Sequence, residues 1–260
     1  MLRTSCLIAV LLLPGISAAQ EAPAQPLQEL FLTELVYPQE KGEIQLMLGT
    51  RIDRARADQS TLVPFTIEYG LTDRWQLEAG WDGYSRDDGA PFQGLTTARL
   101  SIGTKYSLMH IAHSGVHAAF GSDVEFPRAG AFADNEGENG VEIEPFVALA
   151  VDLPAHVSIF GSAGASFEPG EAADLIDSGE RPDDRGTISA GMLWAWHWAT
   201  LAAEYTNRSD GLPWRLEGAA LLTPSVVVHP HGKWELGVGL PIALRGRHQP
   251  GIALNVVKEF

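Results

Sequence analysis

From Glu43 onward the sequence repeats one pattern twelve times: stretches of 9–15 residues in which every second residue is apolar. They cover about 43–53, 61–71, 74–84, 95–108, 114–126, 141–153, 156–168, 186–196, 199–207, 214–228, 233–244 and 250–260. A period of two belongs to a strand whose successive side chains face opposite sides of a sheet. Globular strands average roughly 5–6 residues, whereas a tilted strand needs about 9–11 to cross a bilayer. The connections alternate too. Short ones ("LTD" at 71–73, 109–113, 154–155, 197–198 and 229–232) take turns with longer polar ones (54–60, 85–94, 127–140, 169–185, 208–213 and 245–249). This layout predicts an all-β protein, a twelve-stranded antiparallel transmembrane β-barrel of up-and-down topology over 43–260.

Composition alone, 45% hydrophobic and 20% charged, suits a soluble exported β protein equally well. Charge placement adds a test. Trp75, Leu77, Ala79 and Trp81 share one register, while Arg74, Gln76, Glu78 and Asp82 share the other. Val141, Ile143, Pro145, Val147, Leu149 and Val151 oppose Glu142, Glu144 and Asp152 in the same way. Across all twelve stretches the only charge on the apolar register is Lys258, near the chain end, where a long side chain can snorkel. A soluble sandwich would alternate as cleanly, so strand length, loop alternation and an export signal decide for the barrel.

That signal is the opening run, with Arg3, an apolar core over 7–13, a Pro14-Gly15 break and small Ser17 and Ala19. It predicts a secretory signal peptide over 1–19. Cys6, within the apolar run, is the only cysteine, so the mature chain carries no disulfide. The net charge of −15, or −16 without Arg3, argues against a nucleic-acid partner. Residues 20–42 read as a periplasmic N-terminal arm that begins as a flexible spacer, "QEAPAQP". "LQELFLTELVY" within it fits a short helix or an extra strand.

Aromatics mark both membrane interfaces. Tyr69, Trp75, Tyr106, Trp196, Trp198, Trp234 and Phe260 adjoin short turns or the chain end, and Trp81, Tyr84, Phe126, Phe167, Tyr205 and Trp214 adjoin long loops. The final stretch, "GIALNVVKEF", ends on an aromatic residue in the apolar register. Ile252, Leu254, Val256 and Phe260 are similar to the recognition signal read by the outer-membrane assembly machinery; Lys258 departs from it.

"PFTIEYGLTDRWQLEAGWDGY" (64–84) and "LLTPSVVVHPHGKWELGVGLPI" (221–242) resemble small bacterial outer-membrane β-barrel transporters, the group labelled for the meta-pathway of phenol degradation. In that group a strand ending Glu-Tyr-Gly leads through an Asp-Arg turn into a Leu-Glu-rich strand. The resemblance implies a passive or substrate-selective channel in the bacterial outer membrane.

Function then falls on the inward register. The lumen-lining selectivity candidates are Glu68, Arg74, Glu78, Asp82, Arg99, Lys105, Asp123, Glu125, Glu142, Glu144, Glu204, Arg215, Glu217 and Glu235. With Glu43, Asp53, Asp152, Glu168 and Glu259 as further acids and Arg51 and Lys233 as further bases, the register holds 15 acidic against 6 basic positions. A surplus of nine negative charges in a low-dielectric tube predicts preference for cations. Small inward residues (Ser101, Gly103, Ala119, Gly121, Ser162, Gly164, Ser189, Gly191, Ala202) leave room along one side. The alternatives are a satisfied charge network that braces the wall, and a plugged structural or surface-interaction barrel whose acidic loops meet the partner.

Chemistry finds little support. His156 and Ser158 share a face, but no G-x-S-x-G motif occurs, so no catalytic residue is assigned. His110, His113 and His117, and His229 and His231, read as wet turn histidines, and "DNEGENG" (134–140) fails the calcium-loop spacing, so no metal or cofactor is assigned. Expected partners are outer-membrane lipid, lipopolysaccharide beside the acidic loop 169–185, and a small-molecule solute.

Overall fold

A computed structural model describes residues 27, 30–55, 59–87, 100–126, 141–167, 185–210, 218–230, 233–245 and 248–260. The expected signal peptide, the spacer 20–26 and the loops 127–140 and 169–184 lie outside the described residues.

The strands are β1 (Ile44–Ala55), β2 (Gln59–Thr72), β3 (Trp75–Asp87), β4 (Leu100–Leu108), β5 (Val116–Phe126), β6 (Glu142–Leu153) and β7 (Val157–Ser166). They continue with β8 (Arg185–Ala195), β9 (Ala199–Asp210), β10 (Ala219–Val228), β11 (Trp234–Gly239), β12 (Ile242–Arg245) and β13 (His248–Glu259). β1 to β9 each pair antiparallel with the next strand, β10 pairs with both β11 and β12, β11 with β13, and β13 returns to β1, which closes the sheet into a barrel. β11 and β12 are two halves of one stave, since both lie against β10 and the Leu240 and Pro241 backbone continues the ladder between them. Pro241 has no N–H to give, which splits the strand. Its carbonyl still accepts from Gly251 N at 2.9 Å, and Leu240 N donates to Pro224 O at 3.0 Å. The barrel therefore has twelve staves, as the repeats predict.

One face of every stave is apolar and bare. Ile102, Val147, Leu149 and Leu244 are each more than half exposed, an arrangement that only a nonpolar solvent tolerates over a whole surface. Tyr69, Trp75, Trp198 and Trp234 ring the short-turn end, with Trp81, Phe126 and Phe167 toward the loop end. Ile252, Leu254, Val256 and Phe260 all point outward. The ammonium of Lys258 lies over the rings of Trp234 and Phe260, at 5.4 and 5.3 Å, so aromatic faces hold this lipid-side charge at the interface.

The short-turn half of the interior is filled by the chain's own beginning. Residues 30–42 form no helix or regular strand, with bends at 31–32 and 36 and a turn at 41–42; they lie inside the lumen and leave it at the short-turn rim. Leu35, Val36, Tyr37 and Gln39 are almost completely buried, as are Leu27 and Leu30. Leu27, Leu30, Leu35, Val36 and Tyr37 form one apolar cluster with the wall residues Ala119, Ala148, Ala150, Phe160, Leu193, Ala202 and Val227. Burying each of the larger of these side chains is worth about 1.5–3 kcal/mol, so the inner wall and residues 30–42, termed the arch, hold each other dry.

Candidate functional site

The rim that admits the arch is built by the run 68–76. Gly70 is required by close approach: a Cβ there would overlap the Glu40 carbonyl, so only glycine lets the arch backbone pass. Gly42 N donates to Gly70 O at 2.7 Å and Gly70 N to Glu43 O at 3.0 Å. Inside the rim, Gln39 donates through Nε2 to Gln45 Oε1 at 2.6 Å and Glu68 Oε2 at 2.7 Å, and Gln39 N donates to Gln76 Oε1 at 3.0 Å. Asp73 accepts from Lys41 N at 3.3 Å. Glu68, Gly70 and Asp73 of the motif singled out in the sequence thus surround the foot of the arch, while Tyr69 lies on the outer face and Arg74 is exposed at the turn.

A second anchor joins Tyr37 to the ends of β5, β6 and β7. Tyr37 Oη and Ser158 Oγ each donate to Asp152 Oδ1 at 2.7 Å, and His117 Nε2 meets Asp152 Oδ2 at 2.9 Å. His110 N donates to His117 Nδ1 at 3.1 Å, which leaves the neutral ring's proton on Nε2, facing the carboxylate. Burial, and then the bond to Asp152, push the Tyr37 phenol well above its ordinary range, so it stays a donor. His117 is fully buried, a correction to its reading as a wet turn residue. The Ser158 hydroxyl is held by Asp152, His117 is occupied at both nitrogens, and His156 is exposed in the turn.

Higher in the barrel the arch turns over at 30–34. Phe31 N and Leu32 N donate to the two oxygens of Glu204, at 3.3 and 3.0 Å, and Glu204 is fully buried. Glu34 pairs with the buried Lys105 at 3.5 Å. The Phe31 ring crosses β11 where Gly237 and Gly239 leave the wall bare; a Cβ would sit 2.8 and 3.1 Å from it.

The ladder registers align the inward carboxylates. Glu259 pairs with Gln45, Gln45 with Glu68, Glu68 with Glu78, Glu78 with Gly103, Gly103 with Asp123 and Asp123 with Glu144. This is one unbroken row across β13, β1, β2, β3, β4, β5 and β6, rising from the short-turn end toward the loop end. Directly opposed residues of one sheet face lie about 4.5–5.5 Å apart, and like charges so placed destabilise a sheet. Asp123 folds its carboxylate over Gly103, the only place in the row without a side chain.

Above the arch lies a cavity of about 320 Å³, with 30–34 as its floor. Ser162, Gly164, Ser166, Thr187 and Ser189 form its smooth side, Glu78, Asp123 and Glu144 its acidic side, and Arg208 its rim. Glu142 is buried and bonded to Ser166, Glu125 is half-buried on β5, and Glu235 meets His229 Nδ1 at 3.1 Å near the short-turn end. Lys233 in the last short turn pairs with Glu43 at 2.8 Å, which raises its pKa above the ordinary lysine range. Arg99, Arg215 and Glu217 lie outside the described residues, as does the side chain of Asp82. Glu34 and Arg208 were not singled out from sequence. Glu34 sits in the arm rather than in a stave, and Arg208 falls at the start of an expected loop. Among the described residues no His, Cys, Asp or Glu group is arranged to hold a metal.

A closed twelve-stave barrel with a lipid-facing apolar belt and a polar, acidic interior is a barrel of the bacterial outer membrane. No family model matches the chain, and no curated protein matches it in sequence. Solved structures share the fold. The KdgM porin superposes with a TM-score of 0.56 at 8% identity, over 83% of this chain and 99% of that one. The NanC porin gives 0.53 at 11%, over 82% and 97%. The COG4313 outer membrane channel from Pseudomonas putida F1 gives 0.52 at 15%, over 86% and 98%. These likenesses extend along almost the whole length of the other chains.

Proposed function

We propose that the protein is an outer-membrane channel for passive or weakly selective passage of small solutes, and that it prefers cations. The observation that carries this reading is the carboxylate row. Glu68 stands opposite Glu78 and Asp123 opposite Glu144, like-charge pairings that disfavour a sheet, with the charge of Lys105 close to both Glu78 and Asp123. Of the described bases on the inward register, Lys105 is tied to Glu34, Lys233 to Glu43, Arg74 is exposed at a turn, and Arg51 is half-buried on β1. The described cavity lining has four carboxylates, of Glu34, Glu78, Asp123 and Glu144, against one guanidinium, of Arg208. The overlap in fold with two porins and an outer membrane channel agrees with this reading. The finer assignment, to transporters labelled for the meta-pathway of phenol degradation, draws on 64–84 and 221–242, whose glycine and acids now have a role at the foot of the arch.

The arch favours a second reading, a barrel plugged at its short-turn half that serves as a structural or surface-interaction element. Planar-bilayer recording of the purified chain separates the two. A channel passes current, and a tenfold potassium chloride gradient gives a reversal potential of cation sign that shrinks as total salt rises. Absence of current favours the plug, and an anion-signed potential overturns the cation preference.

A further inference from the structure

We propose that residues 30–34 form a hinged gate across the lumen, latched to the wall by Glu204 and turning on residues 35–42 as a fixed post. The proposal rests on the channel reading above.

The two parts of the arch are fastened very differently. In the post, Leu35 and Val36 are wholly buried, Tyr37 is bonded to Asp152, Gln39 makes three hydrogen bonds to three staves, and the backbone around Gly42 is bonded to Gly70. In the apex, Leu30 and Thr33 are buried, but Phe31 and Leu32 are only half-buried, and both of their backbone donors go to a single side chain, Glu204, rather than to a strand. Loss of that one carboxylate frees both donors. The pairing of Glu34 with Lys105 is long, at 3.5 Å. Beyond the apex lies the cavity of about 320 Å³, which gives the segment space to enter. The Phe31 ring lies on Gly237 and Gly239, a stretch of wall with no side chain to obstruct its movement. The carboxylate row climbs past the apex from Glu68 to Glu144, so its displacement joins the two ends of an acidic path.

The test is the open fraction of single channels in planar bilayers, for the unmodified chain and for Glu204→Ala, Glu204→Gln and Tyr37→Phe, each first shown to be folded by a heat-dependent shift in gel migration. Glu204→Ala is expected to raise the open fraction about tenfold. Glu204→Gln, which keeps an acceptor oxygen, is expected to raise it less, and it carries the readout if the alanine variant fails to fold. Tyr37→Phe, in the post, is expected to change it less than twofold. Current from Glu204→Ala where the unmodified chain is silent supports the gate in its strongest form. An open fraction unaffected by either Glu204 variant, in a barrel that conducts, overturns the gate and leaves the channel. Opening by Tyr37→Phe equal to that by Glu204→Ala overturns the hinge, because the post would then move too. If no variant conducts, the channel reading and the gate fall together.

Discussion

The two halves of the lumen come from the same twelve staves and are filled in opposite ways. In the short-turn half the arch closes over an apolar stretch of wall, with Ala150, Phe160 and Leu193, and over the buried polar groups of Gln45, Glu68 and Gln76. In the loop half the same staves present Ser162, Gly164, Thr187 and Ser189, and what they enclose is a cavity facing Glu78, Asp123 and Glu144. Strand alternation decides which side chains point inward. It does not decide whether they meet protein or water. That is set by whether the chain supplies a segment to cover them, and among the described residues one half is covered.

Mutations that are alike in chemistry and differ in height should therefore differ in cost. The largest contrast is Leu35→Ala against Ser162→Ala. The first leaves a hole in a dry cluster and should weaken docking of the arch by about 2–5 kcal/mol, read as faster proteolysis within 30–42. The second should stay within about 0.5 kcal/mol by urea midpoint. Equal effects would mean that the lower half is not packed. Next comes a pair of inward glycines one stave apart. Gly191→Ala puts its methyl into the Phe160 ring and the Ala203 carbonyl and should cost about 1–3 kcal/mol. Gly164→Ala, whose new methyl has only ordinary contacts from 3.4 Å outward, should be close to neutral.

Smaller effects sharpen the picture of the rim. Tyr37→Phe removes one bond to Asp152 and should cost about 1 kcal/mol, in the same proteolysis assay. Lys233→Met should cost less than about 1 kcal/mol, since the side chain is largely exposed and its pairing with Glu43 is screened. The sign of its pH dependence is fixed. A lysine whose folded pKa is raised stabilises the fold below its unfolded value, about 10.4, and loses that contribution only as pH climbs through the higher folded value. The penalty of Lys233→Met should therefore be flat between about pH 6 and 9. A slope in that window would point to another group.

The staves were legible because a half-lipid, half-lumen strand leaves a period-two record in its own residues, and Trp75 through Trp81 shows it without help from any neighbour. The break at Pro241 was not, because proline alters hydrogen bonding without disturbing the alternation of Val238, Leu240 and Ile242 around it. The arm was ambiguous for a different reason. Leu30, Phe31, Leu32, Leu35, Val36 and Tyr37 fit a helical face and a strand about equally, and what shapes them is the wall they enter. A signal for that occupant was present in Phe160, Leu193 and Val227, apolar residues on an inward register that otherwise reads as polar. Small residues such as Ala119 and Ala202 were read as open space, and the arch fills that space. The carboxylate row was hidden because stagger between staves is set by pairing, which no single stretch reveals. His117 stands only a few residues from a turn, and its burial follows from Asp152 and Tyr37, both distant in sequence.

The division of the lumen is tested most directly by cysteine accessibility. Cys6 is the only native cysteine. Single substitutions Ser162→Cys and Ala150→Cys, made in a Cys6→Ser background, place a thiol in the upper and lower halves of the same wall, and a small water-soluble maleimide reports their exposure in the folded barrel. Fast labelling at 162 with labelling at 150 at least about tenfold slower is the result expected if a solvated cavity stands above a dry, arch-filled base, because reaction at 150 must wait for local opening. Equal rates at the two positions would contradict it.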